Sequence, residues 1–484
     1  MKMKHQTQTN SSIMHRYIFI FLLLCTSLGF GQKLTLEQCI AIALEKNISI
    51  KQADLDVENA KVGQSDARSA FLPSINLQSN HSWNIGLNSN ITTGILENLT
   101  TQFTGISGSV GMTIYNGNRN FLQLYRSNLD LLAREYQLQD MSDDVRLLIA
   151  NAFLQIMFND EILKVSKTQL ELSQSELERT RNLITSGVLA AGDIYEIQAT
   201  VASQEQALIN AENNLRLSKI NLAQLLLIQD YENFDIQLQD LEVPFSEITT
   251  KSPKAIYEKA LEFRNDIRAA NTNVEIATAD IKLIKAEQFP RLTGFYSYNT
   301  RISYSDQRVP NGNFSTQPIG YIESTGESVL TQVPEFSVVG PPSFFDQWSL
   351  YDGHNFGLQL SIPVFNQNSV KNRITRSKIN LERSQNLLDQ QKLDLENTIN
   401  QAYNNTKGAF KIYEAAQTTL LAREQAYKNA GDRLEAGAIN SFEFIQSKQR
   451  YEEAMSNLVR AKFDYIFKLK VLEFYFGLPV SLNP

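Results

Sequence analysis

Cysteine and histidine are nearly absent, with 2 Cys and 4 His in 484 residues. Past residue 31 only Cys39, His81 and His354 remain, so no disulfide can close within one chain and no Cys/His zinc set can form. Cys39 reads as a small apolar helix residue. No nucleophile elbow, phosphate loop or dinucleotide loop stands at a strand-to-helix boundary, which argues against an enzyme and against a resident cofactor or metal. Long apolar runs are missing too. After residue 31 nothing approaches the ~20 apolar residues of a spanning helix, so any part of this chain that enters a membrane must do so as a barrel.

The first residues say where such a barrel would be built. Lys2, Lys4 and Arg16 precede an apolar run from Tyr17 to Leu24, and Gly29 and Gly31 flank Phe30 just before Gln32. That is the layout of a cleavable secretory signal over residues 1–31, with the mature chain starting at Gln32. Cys25 invites a lipoprotein reading, but Leu24 occupies a position where the lipoprotein peptidase requires a small residue. Removing three positive charges and no negative ones takes the formal net charge from -7 to -10. An acidic exported protein is a poor partner for nucleic acid.

What is present, above all, is internal duplication. A shift of 250 superimposes Asn116 on Asn366, Arg126 and Ser127 on Arg376 and Ser377, Ile149 on Ile399, Gly187 on Gly437 and Leu208 on Leu458. A shift of 217 aligns the preceding stretch, Ile50 with Ile267, Val57 with Val274 and Pro73 with Pro290, which locates 33 extra residues between Pro290 and Asn366. The chain therefore divides into a first repeat (32–228), a connecting segment (229–251) and a second repeat (252–484) whose loop 305–353 is enlarged. Duplicated units bury their faces by packing on one another.

Four segments alternate with period two, the mark of strands with one apolar and one polar face. Ile75, Leu77, Trp83, Ile85 and Leu87 alternate with Asn76, Gln78, Asn80, Ser82 and Asn84, with Ser79 and His81 as exceptions. Ile106, Val110, Met112 and Ile114 form the second set; Leu292, Tyr296, Tyr298, Ile302 and Tyr304 the third; Phe356, Leu358, Leu360, Ile362 and Val364 the fourth. Alternation alone equally suits a soluble sandwich, but everything else reads as helix and offers no second sheet. A membrane barrel fits better, with Trp83, Tyr296, Tyr304 and Trp348 as girdle residues. Since four strands fall short of the roughly eight a membrane barrel needs, other copies must complete it, eight strands in a dimer or twelve in a trimer.

The remainder is long helix. Leu131, Leu138, Val145 and Ala152 fall seven apart, as do Leu381, Leu388, Leu395 and Ala402. The returning helices repeat the spacing through Ile194, Val201, Leu208, Leu215 and Leu222, then Phe444, Tyr451, Leu458, Tyr465 and Leu472. This is a coiled-coil seam. Between Gly117 and Leu183 there is no proline, so one helix can extend about 100 Å. Each outgoing helix ends near a glycine: Gly187, Val188 and Leu189 lead to Asp193, and Gly437, Ala438 and Ile439 lead to Glu443. A left-handed C-cap explains each glycine, and helix N-termini explain both acids, Asn440 to Glu443 having capping-box spacing. Apolar residues at an exposed turn also suit docking. The loop 305–353, with Pro310, Pro318, Pro334, Pro341 and Pro342, is expected to lack regular structure.

In order, from Leu34-Thr35-Leu36-Glu37-Gln38 and Ala70-Phe71-Leu72-Pro73 through both turns to Gly477-Leu478-Pro479, the chain resembles the TolC-type outer-membrane efflux proteins. The resemblance implies a homotrimer in which four strands per chain complete a twelve-stranded barrel above an α-helical coiled-coil tunnel. It also implies a periplasmic adaptor meeting the turns, an inner-membrane transporter supplying energy, and outer-membrane lipid around the barrel. Glu443 matches the first of the family's two constricting acids and Gln446 stands at the second, while Asp193 matches an acidic latch partner whose tyrosine is Leu434 here. A protein-secretion outlet or a barrel-anchored adhesive coiled coil are the rival readings. The scarcity of His, Cys and Met argues against a soft-metal cargo.

Overall fold

The computed structural model describes residues 33–89, 96–239, 241–243 and 246–479. The expected signal segment, with Cys25, lies outside them. In chain order the elements are α1 (Leu36–Lys46), α2 (Ile48–Ser69), β1 (Ser74–Ser89), β2 (Leu96–Tyr115), α3 (Arg119–Thr185) and α4 (Asp193–Leu225). Then come α5 (Pro253–Phe263), α6 (Asn265–Lys285), β3 (Arg291–Ser303), β4 (Gln307–Tyr321), β5 (Ser328–Val339), α7 (Phe344–Leu350), β6 (Gly353–Ser361), α8 (Ser369–Glu435) and α9 (Ser441–Phe476). The duplication is visible in the bounds themselves. Shifted by 217, α1 lands on α5 end for end, and shifted by 250, α3 lands on α8, each of the latter pair being 67 residues long.

Local sequence starts these helices. Thr35 and Gln38 form a full capping box, with the Gln38 N–H donating to Thr35 Oγ1 (3.3 Å) and the Thr35 N–H to Gln38 Oε1 (3.0 Å). At the equivalent start of α5, Ser252 accepts from the Ala255 N–H and Pro253 occupies the first turn, where its missing N–H costs nothing.

The chain forms two compact units. The first falls within residues 1–60, 130–274 and 383–484; its described part is mainly helical, and its core is also duplicated. Leu36, Cys39 and Ala43 of α1 pack with Ile149, Phe153 and Ile156 of α3, Leu222 of α4 and Ile236 of the connecting segment. Their counterparts Ile256 and Ala260 pack with Leu395, Ile399 and Leu472. Cys39 is fully buried and burial pushes its thiol up to about 12, consistent with an inert core residue. All eighteen heptad positions identified from sequence are buried or half-buried, as a coiled-coil seam requires.

The second unit, residues 61–129 and 275–382, holds a four-stranded antiparallel sheet in the order β1-β2-β3-β6. Glu287 pairs with Arg119 and with Arg373, fastening the first turns of α3 and α8 beside the sheet. The loop 305–353 is not irregular, contrary to expectation: β4 and β5 pair as a two-stranded ribbon and α7 packs on β3. Each strand of a ribbon has one unpaired edge, so a proline can turn its missing N–H outward, and Pro310, Pro318 and Pro334 are all accommodated in the pairing. Pro341 and Pro342 fall in the link before α7. There the Gln347 side chain accepts from the Ser303 N–H (2.8 Å) and donates to the Ser303 carbonyl (2.9 Å), satisfying backbone groups of β3 beyond the reach of β6.

One charged cluster in the helical unit gives a pH test. Arg264, largely buried, bonds Asp266 (2.9 Å), lies 3.6 Å from Asp140, and stands over the Phe474 and Tyr475 rings. Burial, then the Asp266 charge, raises Asp140 to about 6 despite the opposing Arg264. A raised carboxyl stabilises the fold below its ordinary value near ~4 and loses that contribution as pH rises through its folded value. The thermal midpoint of the helical unit should fall between pH 4.5 and 7, and Asp140→Asn should flatten that slope while raising the midpoint at neutral pH. An unchanged slope would assign the dependence to other carboxyls.

Candidate functional site: the paired helical turns

The two turns between outgoing and returning helices are built alike. Gly187 takes φ 76 and Gly437 φ 70, left-handed values that other residues reach only with strain. Each closes its helix by the same pair of bonds: Gly187 N–H to the Ile184 carbonyl and Val188 N–H to Leu183, then Gly437 N–H to Leu434 and Ala438 N–H to Arg433. These are glycine C-caps.

The structure brings the two turns together. Leu189 and Ile439 are half-buried in one apolar cluster with Ile197, Leu434, Phe444 and Ile445. Leu434, which the resemblance sets where a latch tyrosine would stand, is core. Asp193 opens α4, is half-buried, and accepts from the Ser441 hydroxyl (3.2 Å), the first residue of α9. This bond ties the returning helix of one repeat to that of the other. Glu443 and Gln446 are both exposed. Glu443 donates its backbone N–H to Asn440 Oδ1 (2.9 Å), but its carboxylate does not return a bond, so only half of the expected capping box forms. Gly187, Val188, Gly437 and Ala438 remain exposed.

Two neighbours escaped the sequence reading. Tyr195 and Phe442, 72% and 69% exposed, extend the apolar surface of the turns. Larger still is a buried polar seam just behind them. On α3, Ser166, Gln169, Ser173, Glu176 and Thr180 are all buried, at alternating spacings of three and four. Lys448, 1% exposed, donates to Ser173 Oγ (2.6 Å) and pairs with Glu452 (3.4 Å), which also accepts from Gln204 (3.0 Å). Gln169 donates to the Glu452 carbonyl and Tyr427 to Glu176, while Arg179 reaches Glu435 (2.6 Å) and the Gly431 carbonyl (3.2 Å). Burial holds Glu452 above the usual carboxylate range, against the pull of Lys448. The signal was present as a three-and-four spacing of polar residues, invisible to a search for apolar periodicity.

The chain thus combines a duplicated pair of helical hairpins, joined at their turns, with a four-stranded antiparallel sheet. The chain belongs to the family described as outer membrane efflux protein, whose model matches residues 39–226 and 256–477. Outer membrane protein TolC of Vibrio cholerae is 20% identical over 67% of this chain and 65% of its own length. Pyoverdine export outer membrane protein OpmQ of Pseudomonas aeruginosa is 27% identical over 39% of each chain. The chain thus spans less than two thirds of these curated relatives. The solved outer membrane protein VceC from Vibrio cholerae shares the fold, with a TM-score of 0.71 over 92% of this chain and 97% of that chain at 14% identity.

The seam makes a quantitative test. Lys448→Met alone leaves Glu452 buried without its cation, and should cost about 3–5 kcal/mol. Combining Lys448→Met with Glu452→Leu should recover most of that, read as the thermal midpoint of helix circular dichroism in detergent. A double variant no more stable than the single one would show that the seam depends on the charges themselves.

Proposed function

We propose that this protein is the outer-membrane channel of a tripartite efflux pump, a passive duct through which an inner-membrane transporter exports small molecules by way of a periplasmic adaptor. The observation that carries the reading is the strand register. Ile75 pairs with Val110 and Val110 with Tyr296, which pairs in turn with Phe356; Gly108 stands opposite both Leu77 and Tyr298. Residues directly opposite share a face, so all four apolar sets fall on one side. Among them Ile75, Leu77, Ile85, Phe356 and Leu358 are 68–82% exposed. The other face carries Asn76, Ser109, Ser297 and Asn355 in one cross-strand row. An apolar outer band and polar interior are what a membrane barrel needs.

On that same apolar face His81, an exception to the alternation, bonds Thr104 (2.7 Å) and meets Trp83 and Tyr304 edge-on, an aromatic and polar group suited to the lipid headgroup level. The sheet ends at β1 and β6, each with one side unpaired among the described residues. Three copies joined β6 to β1 give twelve strands, and a homotrimer is the assembly proposed. The exposed turn residues Gly187, Val188, Gly437 and Ala438, with Leu189 and Ile439 bracing them, are the adaptor-docking surface. Glu443 is the constriction residue, repeated three times about the axis, with Gln446 beside it; Asp193, held by Ser441, supports the turn. Relatives named for pyoverdine export, OpmQ, and for alkaline protease secretion, AprF of Pseudomonas aeruginosa, both match this chain, and export of small molecules is the reading proposed.

Mass measurement in mild detergent should return a three-chain particle, and planar bilayers should show discrete conductance; a stable monomer without conductance would sink the reading. Glu443→Gln should weaken cation selectivity with assembly intact, because the Asn440 cap uses the Glu443 backbone and not its carboxylate. Wild-type selectivity in that variant would move the constriction elsewhere.

A further inference from the structure

The β4–β5 ribbon is inserted between β3 and β6, at the ends of the strands away from the helices. Its register sorts its side chains into two faces. Phe314, Leu330, Phe336 and Val338 lie on one, 49–64% exposed, together with Arg308; the other holds Ser315, Ser337 and Glu335 with the smaller apolar residues Val309, Val329, Val333 and Val339. Within the chain neither face is covered by another described element. A lone two-stranded ribbon is marginal in water, and an exposed row of large apolar residues on it calls for a covering partner.

We propose that this partner is the ribbon of a neighbouring copy, the apolar face of one packing on the opposite face of the next to form a collar around the channel mouth. The proposal rests on the trimeric reading above. Three features select a second copy over a foreign protein. The ribbon returns through α7 to β6, the strand whose free edge a neighbour must complete, so it continues the proposed subunit seam. Closing a ring of three requires unlike faces to meet, since like-on-like contact closes at two. The charges fit unlike faces: Arg308 stands on the apolar face and Glu335 on the other, both exposed, and neither makes an ion pair with another described residue.

The test uses the full trimer in detergent. Phe314→Cys should be protected from a water-soluble maleimide while Ser324→Cys, in the ribbon's turn, labels freely. Oxidation of the double variant Phe314→Cys with Val333→Cys should give covalent dimers and trimers, and neither single variant should. Arg308→Glu should reduce that cross-linking and Glu335→Arg added to it should restore it. Free labelling at Phe314→Cys in a confirmed three-chain particle would overturn the collar and leave the trimer standing. Dimers from the single Phe314→Cys variant would overturn the unlike-face packing. A particle that is not trimeric would remove both readings together.

Discussion

Antiparallel pairing lands the four alternating apolar sets on one face, with Phe103 and Phe295 on the other, and leaves the sheet with almost nothing among the described residues to bury the apolar face against. Among the described residues only the corner under α7, where Ile302 is 1% exposed, is covered. Isolated in water, such a sheet would be an aggregation template. Lipid against one face and further strands at both edges, as proposed, would resolve the two deficits together. The proposed channel role rests on this more directly than on any single residue.

The helical unit answers a different constraint. Two hairpins copied from one ancestor have similar apolar stripes, and their cores remain near copies: Cys39 and Ile256, Ala43 and Ala260, Ile149 and Ile399 occupy matching places. Near the turns the copies diverge. There the contact between repeats is a hydrogen-bonded polar seam around Ser173, Lys448 and Glu452, topped by a small apolar cluster around Phe444. Buried polar pairs add little net stability compared with well-packed apolar residues, but they penalise mispairing strongly because a misplaced partner leaves an unsatisfied charge. A seam of this kind fixes register between two hairpins that apolar stripes alone would leave interchangeable.

The turns show how little sequence position says about exposure. Leu189 and Ile439 share apolar character with Val188, yet the first two are braced inside the cluster while Val188 is half exposed. Asp193 and Glu443 are repeat mates at helix starts, but one is engaged by Ser441 and the other is exposed. Matching places in the two repeats thus yield one supporting acid and one exposed acid, because only the first meets a hydroxyl from the other repeat.

Sequence by itself determined the repeated architecture, the strand faces and the heptad seam, since period two, period seven and a constant offset are properties of spacing that local backbone geometry must obey. It also located both turns, where glycine alone relieves a left-handed backbone. Tertiary structure decided the rest. The prolines of residues 305–353 pointed to irregular chain, and only pairing between β4 and β5 could show that each falls where a ribbon tolerates it. Lys448 and Glu452 stand one helical turn apart, a spacing common on solvated helix faces; partners 248 and 275 residues away in the chain, Gln204 and Ser173, make them interior. Burial of a polar side chain depends on what comes to meet it from elsewhere in the chain, and no local pattern carries that information.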